Sequence, residues 1–147
     1  MAVKPIPDGY HSITPYLIVD GANRLIDFAK QVFGAEEMLR MPAPGGTVGH
    51  AEMRIGDSVV MLADSGPDNP ARPANLLVYV DDCDATYRKA LAAGGTSERE
   101  PTDQFYGDRT AGIDAFGVRW WIHTHIEDVP PEEMEERAAA AMAQQAS

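Results

Sequence analysis

His50 and Glu52 stand two residues apart in the segment Thr47 to Ile55, where Ala51, Met53 and Ile55 alternate with His50, Glu52 and Arg54. A period of two puts His50 and Glu52 on one face of a strand. A carboxylate beside an imidazole can orient the ring as a general base, or the pair can supply half of a metal site completed by His123 or His125. In the plainer alternative Glu52 pairs with Arg54 or with a neighbouring strand, and His50 hydrogen-bonds there. His123 and His125 repeat the spacing at the end of the strand Val118 to His125. They read as an HxH metal pair or, for His125, as a contact with a dimer partner or the tail. Asp108 and Arg109 follow Tyr106-Gly107. Either they pair and pin their loop, or Arg109 anchors an anionic group of a ligand through a bidentate contact. Cys83 is the single cysteine, so no internal disulfide forms, and its place on an apolar helix stripe predicts a buried structural thiol.

The elements that must position these groups come in two copies. Thr14 to Gly34 (TPYLIVDGANRLIDFAKQVFG) reappears, changed but readable, as Asn75 to Gly95 (NLLVYVDDCDATYRKALAAGG), at a constant offset of 61 residues. Each copy predicts a strand, an acidic N-cap, a helix and a glycine stop. The caps are Asp20 in the first copy and Asp81 or Asp82 in the second. The helix stripes are Leu25, Phe28, Ala29 and Val32, then Cys83, Tyr87, Ala90 and Leu91, with stops at Gly34 and Gly94-Gly95. After the first helix come strands at Glu36 to Met41, Thr47 to Ile55 and, past a Gly56-Asp57 turn, Ser58 to Ala63. The second half predicts a weak strand near Ser97 to Pro101, one through Ile113, a turn at Asp114 to Gly117, and Val118 to His125. The chain thus divides into a βαβββ module at about 13–64, a Pro- and Asp-rich linker at about 65–74, a second module at about 75–126, and a helix at about 131–143. Residues 1–12 form an extended arm, since Pro5 and Pro7 block regular structure. Two such units, each too small to bury a core alone, are expected to pair.

The whole chain has 147 residues, 44% of them hydrophobic, enough for a single α+β domain. Its 12 basic and 23 acidic residues give a formal charge of −11, and without a basic patch it is expected to bind neither nucleic acid nor an anionic membrane. The N-terminus MAVKPIPDGYHS lacks the apolar run of a signal peptide, and no run of about 18 apolar residues occurs, so a cytoplasmic location is expected.

The opening IVDGANRLIDFAKQVFGAE, the central NLLVYVDD and the closing GIDAFGVRWWIHTHIEDV resemble the vicinal oxygen chelate superfamily, which holds glyoxalase I, bleomycin-resistance proteins and extradiol dioxygenases. FYGDR and THIEDVPPEEM resemble its PhnB-like branch. The resemblance implies two βαβββ modules forming an incompletely closed eight-stranded barrel with helices outside, a cavity inside, and commonly a homodimer. Metal-dependent members draw ligands from the inward faces of the first and fourth strands of each module. Carried over, those positions are Thr14, Met61, Asn75 and Trp121, none a usual ligand for a divalent metal. No metal or other cofactor is therefore expected, except a divalent ion at a non-standard site. With Thr14 inward, alternation sends Tyr16 and Ile18, His50, Glu52 and Arg54, Met61 and Ala63, Leu77 and Tyr79, and His123 and His125 inward as well. The expected function is metal-independent binding of a partly aromatic small molecule, with Arg109 as a further ligand contact. The alternative is a lyase, isomerase or transferase working through His50 and Glu52 acid-base chemistry or through a relocated metal site.

Overall fold

The computed structural model of the protein describes residues 2–146. The first module contains β1 (Tyr16–Val19), α1 (Ala22–Phe33), β2 (Glu36–Pro42), β3 (Val48–Ile55) and β4 (Ser58–Asp64). The second contains β5 (Ala74–Tyr79), α2 (Cys83–Ala92), β6 (Thr96–Asp103), β7 (Asp108–Ala115) and β8 (Val118–His125), and α3 (Pro131–Gln145) follows. Each module is a four-stranded sheet, ordered β1-β4-β3-β2 and β5-β8-β7-β6, with one parallel pair at the same edge. Register confirms the duplication: Tyr16 sits beside Met61, and Leu77, its counterpart at the 61-residue offset, sits beside Trp121. No helix among the described residues is long and apolar enough to cross a membrane.

Both helices end or begin on chemistry the sequence carries, with one exception. Gly34 takes φ 66° and closes α1 through its N–H to the Lys30 carbonyl. Asp82 caps α2, accepting from the Ala85 N–H at 3.0 Å. Asp20 does not cap α1. Its carboxylate accepts instead from the Ser65 hydroxyl, and the N-cap is Gly21 at φ 94°. The first amides of α1, those of Gly21 and Ala22, donate to Asp64 Oδ1 at 2.8 and 3.0 Å, while Val48 N–H reaches Asp64 Oδ2 at 2.7 Å. One carboxylate at the end of β4 thus fixes a helix start and a strand start. Partial burial pushes the Asp64 carboxyl up, yet the Val48, Ala22 and Gly21 amides hold it below the usual aspartate range.

The core lies on the helix side of the sheets. Leu17, Val19, Met53, Leu62, Ile113 and Ile122 point there with Leu25, Ile26 and Phe28 of α1 and with Cys83, Tyr87 and Ala90 of α2. Leu91, expected on the α2 stripe, is 40% exposed. The modules are joined by aromatic packing: Trp120, fully buried on β8, meets Phe28 and Phe33 of α1 with ring centroids 5.8 and 5.0 Å apart. Its indole N–H has no hydrogen-bond acceptor among the described residues, a cost of about 1–3 kcal/mol that the buried ring area offsets. Phe116 and Gly117 form a two-residue hairpin loop with φ 50° and 84°, the combination of positive φ values that suits the twist of a hairpin. Phe116 tolerates it because its ring packs on Phe28 at 5.6 Å beneath the Arg24 guanidinium.

The sheets do not close into a barrel. Their faces away from the helices are open, and Tyr16, Met41, Leu77 and Tyr79 stand about half exposed there.

Candidate functional site

On the open face of the first module, β3 carries His50 and Glu52 with Nε2 and Oε2 2.9 Å apart. The other carboxylate oxygen accepts from the hydroxyl of Tyr10 in the N-terminal arm. The Tyr10 and His50 contacts hold the Glu52 carboxyl below the usual range against the opposing effect of burial. Arg54 plays no part in this pairing. Tyr16 lies against His50 at 5.8 Å between ring centroids, and Met61 flanks Glu52 across the β3–β4 ladder. Thr14 falls ahead of β1 rather than within it, and its hydroxyl donates to the His11 carbonyl at 3.3 Å.

The second module gathers a denser set around Asp108. Its Oδ2 accepts from Tyr79 Oη at 2.8 Å and from His123 Nδ1 at 2.9 Å, and its Oδ1 from His125 Nδ1 at 2.8 Å. Only 4% of Asp108 is exposed. Burial pushes its carboxyl up, but His123, His125 and Tyr79 together hold it below the usual aspartate range. Tyr106 stacks on His123 with centroids 6.5 Å apart and planes 24° apart. His125 reaches the segment after β8 through Asp128 at 2.7 Å, and this contact, with that to Asp108, raises its pKa. Two positions earlier on the same face, the Trp121 ring lies across Gly112, where a Cβ would come within 2.8 Å of it. Arg99 caps the indole at 5.3 Å, and the Trp121 indole N–H donates to Asn75 Oδ1 at 3.3 Å.

The backbone turn that sets Asp108 in place accounts for the sequence FYGDR. Gly107 adopts φ 100°, and a Cβ there would lie 2.2 Å from the Glu127 carbonyl oxygen. The Gly107 carbonyl in turn accepts from the Ile126 and Glu127 amides. Only glycine fits, and the next residue enters β7 beneath the two histidines.

Asp108 and Arg109 do not pair, because successive residues on a strand point to opposite faces. Arg109 therefore leaves the open face. It grips Asp84 of α2 at 2.5 and 2.9 Å and Asp103 of β6 at 2.9 Å, tying the helix to the sheet. Arg109, expected as a ligand contact, thus has its guanidinium held by two carboxylates of its own chain. Cys83 is buried, its S–H near the Ile122 carbonyl at 3.3 Å, and burial pushes the thiol up to about 11. It is no nucleophile at neutral pH.

The expected lining divides into two sets. Tyr16, His50, Glu52 and Met61 belong to one sheet, Asn75, Tyr79, Trp121 and His123 to the other, and among the described residues no hydrogen bond or ring contact joins them. A cavity of about 980 Å³ does lie between β5 with the start of α2 on one side and, on the other, the end of α1, the β3–β4 turn and the segment ahead of β1, lined by Thr14, Phe33, Val60, Leu77, Tyr79 and Lys89 among others. His50, Glu52, Met61, Trp121 and His123 take no part in it. No group of three or more His, Cys, Asp or Glu side chains among the described residues is arranged to hold a metal ion. Of the groups that matter here, sequence reasoning missed Asp108 as the hub. The signal was present in strand alternation, which already set Asp108 and Arg109 on opposite faces.

Comparison with known proteins places this geometry. Residues 9–122 match the family model described as the glyoxalase/bleomycin resistance protein/dioxygenase superfamily. An uncharacterized protein of Mycobacterium bovis is 34% identical over 146 residues, covering 91% of this chain and 93% of its own length. The anthracycline biosynthesis protein DnrV of Streptomyces peucetius is 33% identical over 118 residues, which span 78% of this chain but 41% of DnrV. Among solved structures, TioX from Micromonospora sp. ML1 superposes with a TM-score of 0.67 at 25% identity, covering 79% of this chain and 99% of TioX. The chain belongs to the glyoxalase/bleomycin resistance protein/dioxygenase superfamily.

Proposed function

We propose that the protein binds a partly aromatic small molecule without a metal ion, and that it does so as a homodimer. The observation that carries the metal-free reading is the Asn75–Trp121 contact. These are two of the four positions at which the family resemblance puts metal ligands, and here a carboxamide oxygen accepts from an indole N–H. Neither group is a usual ligand for a divalent cation, and the indole offers a flat apolar wall instead. The relative named for anthracycline biosynthesis points toward a ring-bearing ligand as well. Assignment to the PhnB-like branch rests on FYGDR and THIEDVPPEEM. The dimer is supported by the half-exposed Tyr16, Met41, Leu77 and Tyr79 on open sheet faces, since exposed apolar patches of this kind mark interaction surfaces. Opposing the first face of one copy to the second face of its partner would bring the two residue sets into one lining.

Element analysis of tag-free protein, paired with calorimetric titration of an aromatic ligand, tests the binding reading. Binding is expected to survive a chelator and to weaken in Trp121→Ala. About one divalent ion per chain, with binding lost on chelation, would overturn it. Light scattering across protein concentration tests the dimer, which a monomer at every concentration would contradict.

The 2.9 Å contact between His50 and Glu52 favours a second reading, an enzyme using that imidazole as a general base. It requires turnover of an identified substrate to fall by about 10²-fold or more in His50→Ala. Unchanged turnover removes it.

A further inference from the structure

His123 differs from every other imidazole here in having one nitrogen committed and the other open inside a nearly buried ring. Asp108 cannot donate when ionised, so His123 Nδ1 must carry the proton in their 2.9 Å contact. Among the described residues Nε2 has no partner, yet it is not sealed off: the fully buried side-chain nitrogen without a partner belongs to Trp120. The ring is held from three further directions, by Tyr79 edge-on at 5.6 Å, by Tyr106 stacked at 6.5 Å, and by the β8 backbone. Trp121 lies two positions back on the same face, about 6.6 Å along the strand. A planar ligand packed beside that indole, or on it in place of Arg99, brings its next substituent to His123.

We propose that His123 Nε2 is the acceptor for a weakly acidic O–H on an aromatic ring, a phenol or hydroxyquinone, and that the site binds this group by taking its proton. This rests on the binding reading above and names the ligand chemistry for it. The proton passes from the ligand oxygen to Nε2, giving a phenolate beside an imidazolium. Asp108 stays ionised and keeps its bond to Nδ1–H, so it stabilises the imidazolium without itself changing charge. The other groups around the ring fit that outcome. Tyr79 and His125 hold their hydrogen bonds to Asp108, and Tyr106 is kept protonated by burial first and by Asp108 second, while Arg99 lies over the Trp121 ring at 5.3 Å and Arg119, which faces Glu98 at 3.6 Å, lies 6.0 Å from the same ring. Asp108 is thus a positioning residue for His123, and Gly107 the turn that seats Asp108.

Alizarin, a dihydroxyanthraquinone whose colour reports ionisation, is the probe. Its ionisation midpoint bound to the wild-type protein is expected to fall by about one pH unit or more below the free value, a tenfold or larger preference for the phenolate. In His123→Gln the bound midpoint should return to the free value, with Asp108→Asn in between and melting curves confirming that both variants fold. A bound midpoint equal to the free one, or a lowered midpoint that persists in His123→Gln, overturns the proposal while leaving aromatic binding in place. Failure of alizarin to bind the wild type overturns the ligand class named here. Nitrogen NMR of histidine-labelled, ligand-free wild type supplies a check that needs no variant. It should show a proton on His123 Nδ1 bonded to a carboxylate, and a bare Nδ1 would refute the arrangement.

Discussion

Each module carries an imidazole, a carboxylate and a phenol in mutual contact on its open face, but the two clusters are built differently. In the first, His50 and Glu52 come from one strand, and the phenol is Tyr10 from outside the sheet. In the second, Tyr79, His123 and Asp108 come from β5, β8 and β7, so three strands must be in register before the cluster exists. Burial follows construction, with Glu52 and His50 side chains 12% and 23% exposed against 5% and 9% for Asp108 and His123. A cluster written into one strand is a local feature that the sheet can lose cheaply. One assembled across strands is part of the fold, and its chemistry is correspondingly better oriented.

That contrast predicts an ordered set of stability losses, readable by urea unfolding. Gly107→Ala should have the largest effect, about 3 kcal/mol, because a Cβ at positive φ meets the Glu127 carbonyl. Asp108→Ala should follow at about 2–3 kcal/mol, since it strips two imidazoles and a phenol of their shared acceptor. Glu52→Ala should cost about 1 kcal/mol or less, and Tyr10→Phe a few tenths, as both groups keep access to water. Equal losses at Glu52 and Asp108 would break the comparison. Acid unfolding sharpens it further. The Asp108 carboxyl is held below its unfolded value, so its contribution is complete above the unfolded aspartate pKa and is lost as pH falls through the folded one. Since Asp108 is the more buried carboxylate and accepts from three side chains, Asp108→Asn should flatten the acid limb of the stability curve more than Glu52→Gln does.

The same distinction explains what was legible in the sequence. Strands, helices, the Gly34 stop and the Asp82 cap are set by neighbours in the chain, and alternation or helical spacing exposes them. His50 with Glu52 was visible for the same reason. The α1 cap was not, because Asp64 reaches Gly21 from 43 residues away and no local pattern announces it. Asp108 looked like a partner for Arg109 until strand geometry separated them, and its hold on His123 and Tyr79 depends on ladder register. The resemblance gave two four-stranded modules correctly, while the packing of Trp120 onto α1 is a contact between modules that sequence spacing does not encode.

The central claim is that an aromatic ligand is held by side chains alone. Titration of alizarin into tag-free protein, before and after exhaustive chelation and with divalent metal content measured on the same sample, tests it most directly. The account predicts only trace metal and the same dissociation constant in both titrations. A stoichiometric divalent ion, with binding abolished by its removal and restored by its return, would contradict it.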